Sequence, residues 1–157
     1  PCIMLSVSCV IVTVNRRWFT PDRYVFRTRA WELNGKLYTG LFLVRKWKGL
    51  LPDGAAWFPG GIEKKHLRSR DPEYFEQFVC ETCRGEAAHW ISLAFVPLFF
   101  VYNPPWAAAV MLCAGALLNV PCIIAQRFNR IQLMRLVHMM SQGTRSSVRQ
   151  VRQSTVE

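Results

Sequence analysis

Acidic residues are scarce in this chain, and one long stretch carries no charge at all. Ten Asp and Glu stand against twenty Lys and Arg in 157 residues, which gives a formal net charge of +10. No charged residue lies between Trp90 and Ile124. A nucleic-acid-binding surface needs its cations on a soluble face, whereas these cations flank apolar runs. The composition therefore excludes nucleic acid as the expected partner and favours a lipid bilayer.

The sequence also lacks the motifs of several common enzyme classes. It has no glycine-rich phosphate loop followed by Lys, no Gly-x-Ser-x-Gly and no dinucleotide-binding fingerprint. A serine acyl-enzyme and a nucleotide cofactor thus have no support, and we expect no cofactor.

Three apolar runs predict an all-α integral membrane protein with about three spanning helices. A span needs roughly 20 mainly apolar residues, and Trp106–Ile124 satisfies this alone. Ile91–Tyr102 reaches that length if its helix begins near Glu86. We interpret Cys2–Val14 as part of a first span whose beginning is missing from this fragment, with the core of a signal peptide as the alternative.

The distribution of cations predicts the topology. Fourteen Lys and Arg lie between Asn15 and His89, and six follow Ile124. The positive-inside rule places both basic segments in the cytoplasm. We therefore expect a multi-pass cell-membrane protein in which the 15–89 loop and the C-terminal tail are cytoplasmic and Asn103-Pro104-Pro105 faces outward.

Local signals predict the elements between and after the spans. Thr20-Pro21-Asp22 and Asp71-Pro72-Glu73 both resemble helix starts, and the second helix should run to about Phe100, with a possible kink at Pro97. Tyr24 to Val44 fits either a hairpin at Asn34-Gly35 or two short interfacial amphipathic helices broken there, which we favour.

The remaining segments are a loop and a tail. Turn signals predict a loop from Leu51 to Gly61. An interfacial helix is expected from Gln126 to a stop at Gly143. We assign residues 1–143 to one membrane-embedded domain and expect residues 144–157 to be a disordered polar tail.

The segment Cys80–Trp90 concentrates ionisable groups at the start of an apolar run. Such groups are costly to desolvate, so they are candidate functional residues. On a helix, Glu86 can contact His89 and Glu81 can contact Arg84. One interpretation is that Glu81 or Glu86 orients His89 as a general base; the other is a Glu–His pair that only satisfies two polar groups.

A metal site is a weaker interpretation of the same residues. Glu86-x-x-His89 has the spacing found in di-iron helix bundles, but those sites need a second such motif and the sequence has none. Cys80-x-x-Cys83 could bind zinc with His66 or His89, yet a closed site needs four identifiable ligands. We expect no metal.

Polar residues elsewhere suggest where a substrate could bind. A short basic segment could hold a phosphate-bearing acyl donor or anchor the chain to anionic lipid. It consists of Arg45, Lys46, Trp47 and Lys48. Asn119 could stabilise an oxyanion or form an interhelical hydrogen bond. The run Gln126-Arg127-Phe128-Asn129-Arg130 supplies further hydrogen-bond donors in the same membrane plane as His89. His66 is a second candidate for the general base.

Five ordered motifs resemble one enzyme family. They are Val44-Arg45-Lys46-Trp47-Lys48, Asp53-Gly54, His66-Leu67, Glu81-Thr82-x-Arg84-x-Glu86-x-x-His89-Trp90 and Asn119-Val120-Pro121-x-Ile123-Ile124-x-Gln126-Arg127-Phe128-Asn129-Arg130. From about Trp31 to Leu133 the chain is similar to the glycosyl-4,4'-diaponeurosporenoate acyltransferases, small membrane enzymes of the staphyloxanthin-type carotenoid pathway. Cys80 and Cys83 lie outside this pattern.

The resemblance implies transfer of a fatty acyl group to a sugar hydroxyl of a glycosylated lipid. We expect an acyl-CoA or acyl carrier protein thioester as donor, with its phosphates held by Arg45, Lys46 and Lys48.

In the resulting hypothesis the catalytic roles are divided among eight positions. His89 is the base, oriented by Glu86 or Glu81, and Arg84 with Asn119 or Asn129 stabilises the oxyanion. Asp53 or His66 completes the site. The alternatives are a non-catalytic membrane module that binds lipid or a partner and, third, a metal-dependent lipid hydrolase or oxidase.

Overall fold

All regular structure in the described part of the chain is helical. The structure, a computed structural model, describes residues 2–51 and 72–154, with the backbone alone for some residues near the chain ends and for residues 72 and 73. The α-helices are α1 (Cys2–Thr13), α2 (Lys36–Gly40), α3 (Val44–Trp47), α4 (Pro72–Phe95), α5 (Phe99–Tyr102) and α6 (Pro105–Ser154). Short 3₁₀ helices cover Arg16–Trp18, Ala30–Gly35, Lys48–Leu50 and Val96–Leu98.

Helix α4 begins where the sequence predicts a helix. It starts at Pro72 and runs to Phe95, because Pro at the first position lacks only an N–H that would be unpaired anyway. At Pro97 the backbone tightens into the 3₁₀ segment before α5 ends at Tyr102. The predicted start is thus confirmed, whereas the α-helix ends at Phe95, before the predicted Phe100, and the helical backbone continues to Tyr102 through the 3₁₀ segment.

Helix α6 is a single element of 50 residues. At 1.5 Å per residue it is roughly 75 Å long. The predicted end at Gly143 is wrong, because helical backbone continues to Ser154. Gly143 stops a helix only when it adopts a left-handed cap, and it has no positive φ here. The residues of the tail up to 154, for which the sequence predicts disorder, are therefore helical in the backbone.

Two of the described helical stretches are long and apolar enough to cross a bilayer. They are Tyr74–Tyr102 and Pro105–Gly143. Helix α1 has 12 residues and is roughly 18 Å long, which is less than the hydrocarbon core of about 30 Å. The expectation of three spans is therefore confirmed for two candidates only.

The two long helices pack against each other as an antiparallel hairpin, since the turn at Asn103-Pro104 joins them. Near the turn, Val96 lies against Gly115, where a Cβ would be 2.9 Å from its Cγ2 atom. Further along, Gly85 lies against Gln126, and a Cβ on Gly85 would be 2.8 Å from Gln126 Nε2. At the far end, α4 and α6 share an apolar cluster that includes Phe75, Phe78, Val79 and Leu133.

The connector between α1 and α3 folds against this hairpin. The helix expected at Thr20-Pro21-Asp22 is not formed: the Arg23 N–H donates to the Thr20 carbonyl, which closes a turn. Pro fits the second position of a turn as well as the first of a helix. Phe19 and Phe26 instead pack with Ile11 and Cys83.

A break at Asn34-Gly35 separates two short helices, whereas their interfacial amphipathic character stays a prediction. Gly35 has φ +85°, and a Cβ there would lie 3.3 Å from Ile131 Cγ2, so both the backbone angle and the space favour glycine. After this break, Tyr38 and Val44 pack against Phe128 and Ile131 of α6. This packing brings the connector to the charged end of the hairpin.

Candidate active site

His89 and Asn119 join α4 and α6 within the candidate spans. His89 Nδ1 lies 3.0 Å from Asn119 Oδ1. The amide Nδ2 of Asn119 donates to the Gly115 carbonyl at 2.8 Å. His89 lies about 20 Å from the Asn103 turn along the helical stretch that ends at Tyr102, well into the helix pair. The interhelical hydrogen bond that the sequence offered as one role of Asn119 is therefore formed, and its partner is the predicted base.

Glu86 lies at the centre of a buried charge cluster one turn before His89. Its Oε2 accepts a hydrogen bond from Arg130 Nη1 at 2.6 Å, and its Oε1 accepts one from Trp90 Nε1 at 3.2 Å. Arg127 Nε lies 3.6 Å from the same Oε1. Two guanidinium groups thus compensate the Glu86 carboxylate, whereas the sequence assigned this carboxylate to His89.

Glu32 of the connector completes this cluster, although the sequence analysis did not single it out. Its Oε1 lies 3.2 Å from Arg127 Nε, and its side chain is 1% exposed. Tyr38 is buried beside it; burial, followed by the Glu32 charge, raises the pKa of the Tyr38 phenol. Glu32 could have been noticed as one of only two acidic residues between positions 15 and 51.

Glu81 and Arg84 form the contact that helical spacing predicts. Arg84 Nη2 lies 2.6 Å from Glu81 Oε2, and both side chains are largely buried. A guanidinium has five N–H donors, so one ion pair leaves Arg84 with further donors. Glu81 is therefore placed to hold Arg84.

Lys48, in the basic segment 45–48, contacts α6. Its Nζ donates to Asn129 Oδ1 at 3.1 Å and lies 4.9 Å from the centre of the Phe128 ring. Burial, followed by the neighbouring Arg45 charge, lowers the pKa of Lys48. Arg45 and Lys46 are exposed, and Trp47 Nε1 donates to the Phe42 carbonyl. The four residues of this segment thus have different surroundings.

The remaining predicted site residues divide into two groups. Gln126 packs against Gly85 between the two helices, close in sequence to the arginines that hold Glu86. Asp53 and His66 lie outside the described residues, as does the loop predicted from Leu51 to Gly61. Within residues 2–51 and 72–154, no three His, Cys, Asp or Glu side chains are grouped as a metal site requires.

The arrangement offers one imidazole, a buried carboxylate–guanidinium cluster and a partly buried lysine along one end of a helix pair. An imidazole can move a proton, and fixed guanidinium groups can stabilise developing negative charge. Acyl transfer to a hydroxyl is one reaction that groups of these kinds can support.

The comparisons with known proteins agree with this chemistry. The family model described as glycosyl-4,4'-diaponeurosporenoate acyltransferase matches residues 15–139. Proteins of that name from Staphylococcus aureus strains bovine RF122 / ET3-1, USA300 and Newman are each 28% identical over 138 residues. The match covers 88% of this chain and 83% of each relative. No solved structure matches the chain significantly. With a family match over most of its length, the chain is an acyltransferase and belongs to the glycosyl-4,4'-diaponeurosporenoate acyltransferase family.

Proposed function

We propose that this protein moves a fatty acyl group from a thioester donor to a sugar hydroxyl of a glycosylated lipid, at the membrane surface. The observation that carries the proposal is the position of His89, a half-buried imidazole that faces Asn119 across the contact between α4 and α6. One turn away, the cluster around Glu86 begins. The substrate class is proposed from the family name, since the relatives are named for a glycosylated carotenoid acid.

In the proposed reaction His89 serves as the general base. It takes the proton of the acceptor hydroxyl while that oxygen forms a bond to the thioester carbonyl carbon. The tetrahedral oxyanion then collapses, the carbon–sulfur bond breaks, and the thiolate takes the proton back from His89. The products are an ester and a free thiol, and no further reactant is needed.

Arg84 is the proposed partner of the oxyanion, together with Asn129. Glu81 fixes Arg84 through its 2.6 Å ion pair, and preorganised donors contribute most when they need not rearrange. Asn119 is less suitable for this role, because its amide Nδ2 already donates to Gly115.

Lys48 is the proposed anchor for the phosphates of the donor, which acyl-CoA and acyl carrier protein both carry. Exposed Arg45 and Lys46 add long-range attraction to the same groups. Trp47, Gln126, Arg127 and Arg130 are the further residues proposed to take part in substrate binding. Asp53 or His66 would complete it from the 52–71 segment.

The proposed placement has the hairpin crossing the cell membrane and α1 contributing to a third span. Residues 15–89 and the tail then lie in the cytoplasm, on the side where acyl thioesters are made. Large exposed apolar side chains near the turn, such as Tyr102 and Trp106, support lipid contact at that end.

Mass spectrometry of membrane lipids tests the proposal. Cells that supply a glycosylated lipid with a free sugar hydroxyl would express the chain, His89→Ala or His138→Ala. His138 is exposed and bonds Gln142, so it controls for loss of a histidine. We expect a glycolipid heavier by one fatty acyl group with the parent chain and with His138→Ala, but not with His89→Ala.

Equal acylation with His89→Ala, confirmed in the membrane fraction, would contradict the assignment of the base. If only charge reversal of Arg45, Lys46 and Lys48 changed behaviour, a membrane module that binds lipid would explain the chain better.

A further inference from the structure

Asn119 holds two groups at once in a buried position. Its side chain is 3% exposed. Its Nδ2 lies 2.8 Å from the Gly115 carbonyl oxygen, and its Oδ1 lies 3.0 Å from His89 Nδ1. Gly115 is itself fixed, because Val96 of the facing helix packs directly against it.

Gly115 decides which way the Asn119 amide points. A carbonyl oxygen can only accept a hydrogen bond, so the atom facing it must be the amide nitrogen. The opposite orientation would place two acceptors 2.8 Å apart in a buried site. The amide oxygen of Asn119 therefore faces His89.

The orientation of Asn119 in turn decides the tautomer of His89. An amide oxygen can only accept, so His89 Nδ1 must carry a hydrogen. In a neutral imidazole the other nitrogen then holds the lone pair. We propose that Asn119 is a positioning residue that keeps His89 in its Nδ1–H tautomer, so that Nε2 is the basic atom.

The role rests on the proposed transfer reaction, in which Nε2 takes the proton of the acceptor hydroxyl. A base in the wrong tautomer presents an N–H to the hydroxyl instead of a lone pair. A ring released by Asn119 can also rotate about its side-chain bonds. Both effects lower the rate of the chemical step rather than the affinity for donor.

The tautomer can be measured directly, without any substrate. The chain has three histidines, so ¹⁵N-histidine labelling of the detergent-solubilised protein gives few signals, and His89→Gln identifies that of His89. At about pH 8.5, where an ordinary imidazole is neutral, we expect a protonated Nδ1 and an unprotonated Nε2. The reverse assignment in the parent protein would overturn the proposal.

Two variants then test the part played by Asn119. Asn119→Leu keeps a similar volume but removes both hydrogen bonds. Thr82→Val is the matched control: Thr82 is fully buried on α4 and bonds only the Val79 carbonyl of its own helix among the contacts described. We expect Asn119→Leu to change the His89 signals and to lower kcat/KM roughly 10²-fold, mainly through kcat. Thr82→Val should change neither.

The outcomes separate this inference from the proposed function. An unchanged His89 tautomer in Asn119→Leu would overturn the role of Asn119 even if the enzyme acylates glycolipids. The expected tautomer in a protein without transferase activity would leave the inference standing and contradict the proposed function. If Asn119→Leu does not fold, the tautomer of the parent protein still decides the geometric part.

Discussion

The carboxylate of Glu86 lies 2.6 Å from the guanidinium of Arg130, and their side chains are 0% and 1% exposed. A buried charge that loses its partner retains its desolvation cost. We expect Glu86→Gln or Arg130→Met to lower the free energy of unfolding by about 3–5 kcal/mol. The double variant should lose less free energy of unfolding than the two single variants lose together. Denaturant unfolding in detergent micelles measures this, with exposed Glu76→Gln as control; strictly additive losses would show that the two groups are not coupled.

Tyr38 should make stability depend on pH in the alkaline range. Because burial and Glu32 raise the pKa of Tyr38, the phenol stays protonated in the folded chain when an unfolded tyrosine, with a pKa of about 10, ionises. Stability should therefore fall as pH rises above about 10. Tyr38→Phe should reduce this loss by at most about 1.4 kcal/mol for each pH unit. Exposed Tyr24→Phe is the control, and identical alkaline profiles for both variants would contradict the prediction.

Gly115 and Gly85 should respond differently to the same substitution. A Cβ at Gly115 would lie 2.9 Å from Val96 Cγ2, whereas one at Gly85 would lie 2.8 Å from the terminal nitrogen of Gln126. The valine branch is stiff, but the glutamine end can move. We expect Gly115→Ala to cost about 1–3 kcal/mol and Gly85→Ala to be near neutral. Thermal unfolding compares them, and a larger loss at Gly85 would contradict the packing described.

Lys48 should contribute more to donor binding than its neighbour Lys46. Lys48 is held by Asn129, so its charge is fixed near α6, whereas Lys46 is exposed. Removing a charged hydrogen-bonding group costs about 1.5–3 kcal/mol, so Lys48→Met should raise KM for the acyl donor roughly 10–100-fold. Lys46→Met should raise it only a few-fold, since surface charges contribute about 0–1 kcal/mol. Steady-state kinetics at fixed acceptor measures both, and equal effects would favour a diffuse electrostatic role.

Local signals in the sequence predicted the features that depend on a few neighbouring residues. The start of α4 at Pro72, the break at Asn34-Gly35 and the Glu81–Arg84 contact all follow from caps, backbone preferences or helical spacing. The same rules left Thr20-Pro21 ambiguous, because proline serves a helix start and a turn equally well. They also misplaced the end of α6, since Gly143 can remain inside a helix.

Long-range pairs could not be predicted in the same way. Helical spacing allowed a contact of Glu86 with His89, but only tertiary packing brings Arg130 and Arg127 to the Glu86 carboxylate. Glu32 and Tyr38 reach this cluster only because the connector folds back over α6. The partner of His89 depends on the register of α4 against α6, which the packing of Gly115 and Gly85 sets.

Glu86 and Arg130 are 44 positions apart, so the ribosome completes α4 long before the partner of its carboxylate exists. A carboxylate that is buried without a partner keeps its full desolvation cost. We therefore expect the Glu86 end of α4 to stay in contact with water until α6 has been synthesised and supplies Arg130.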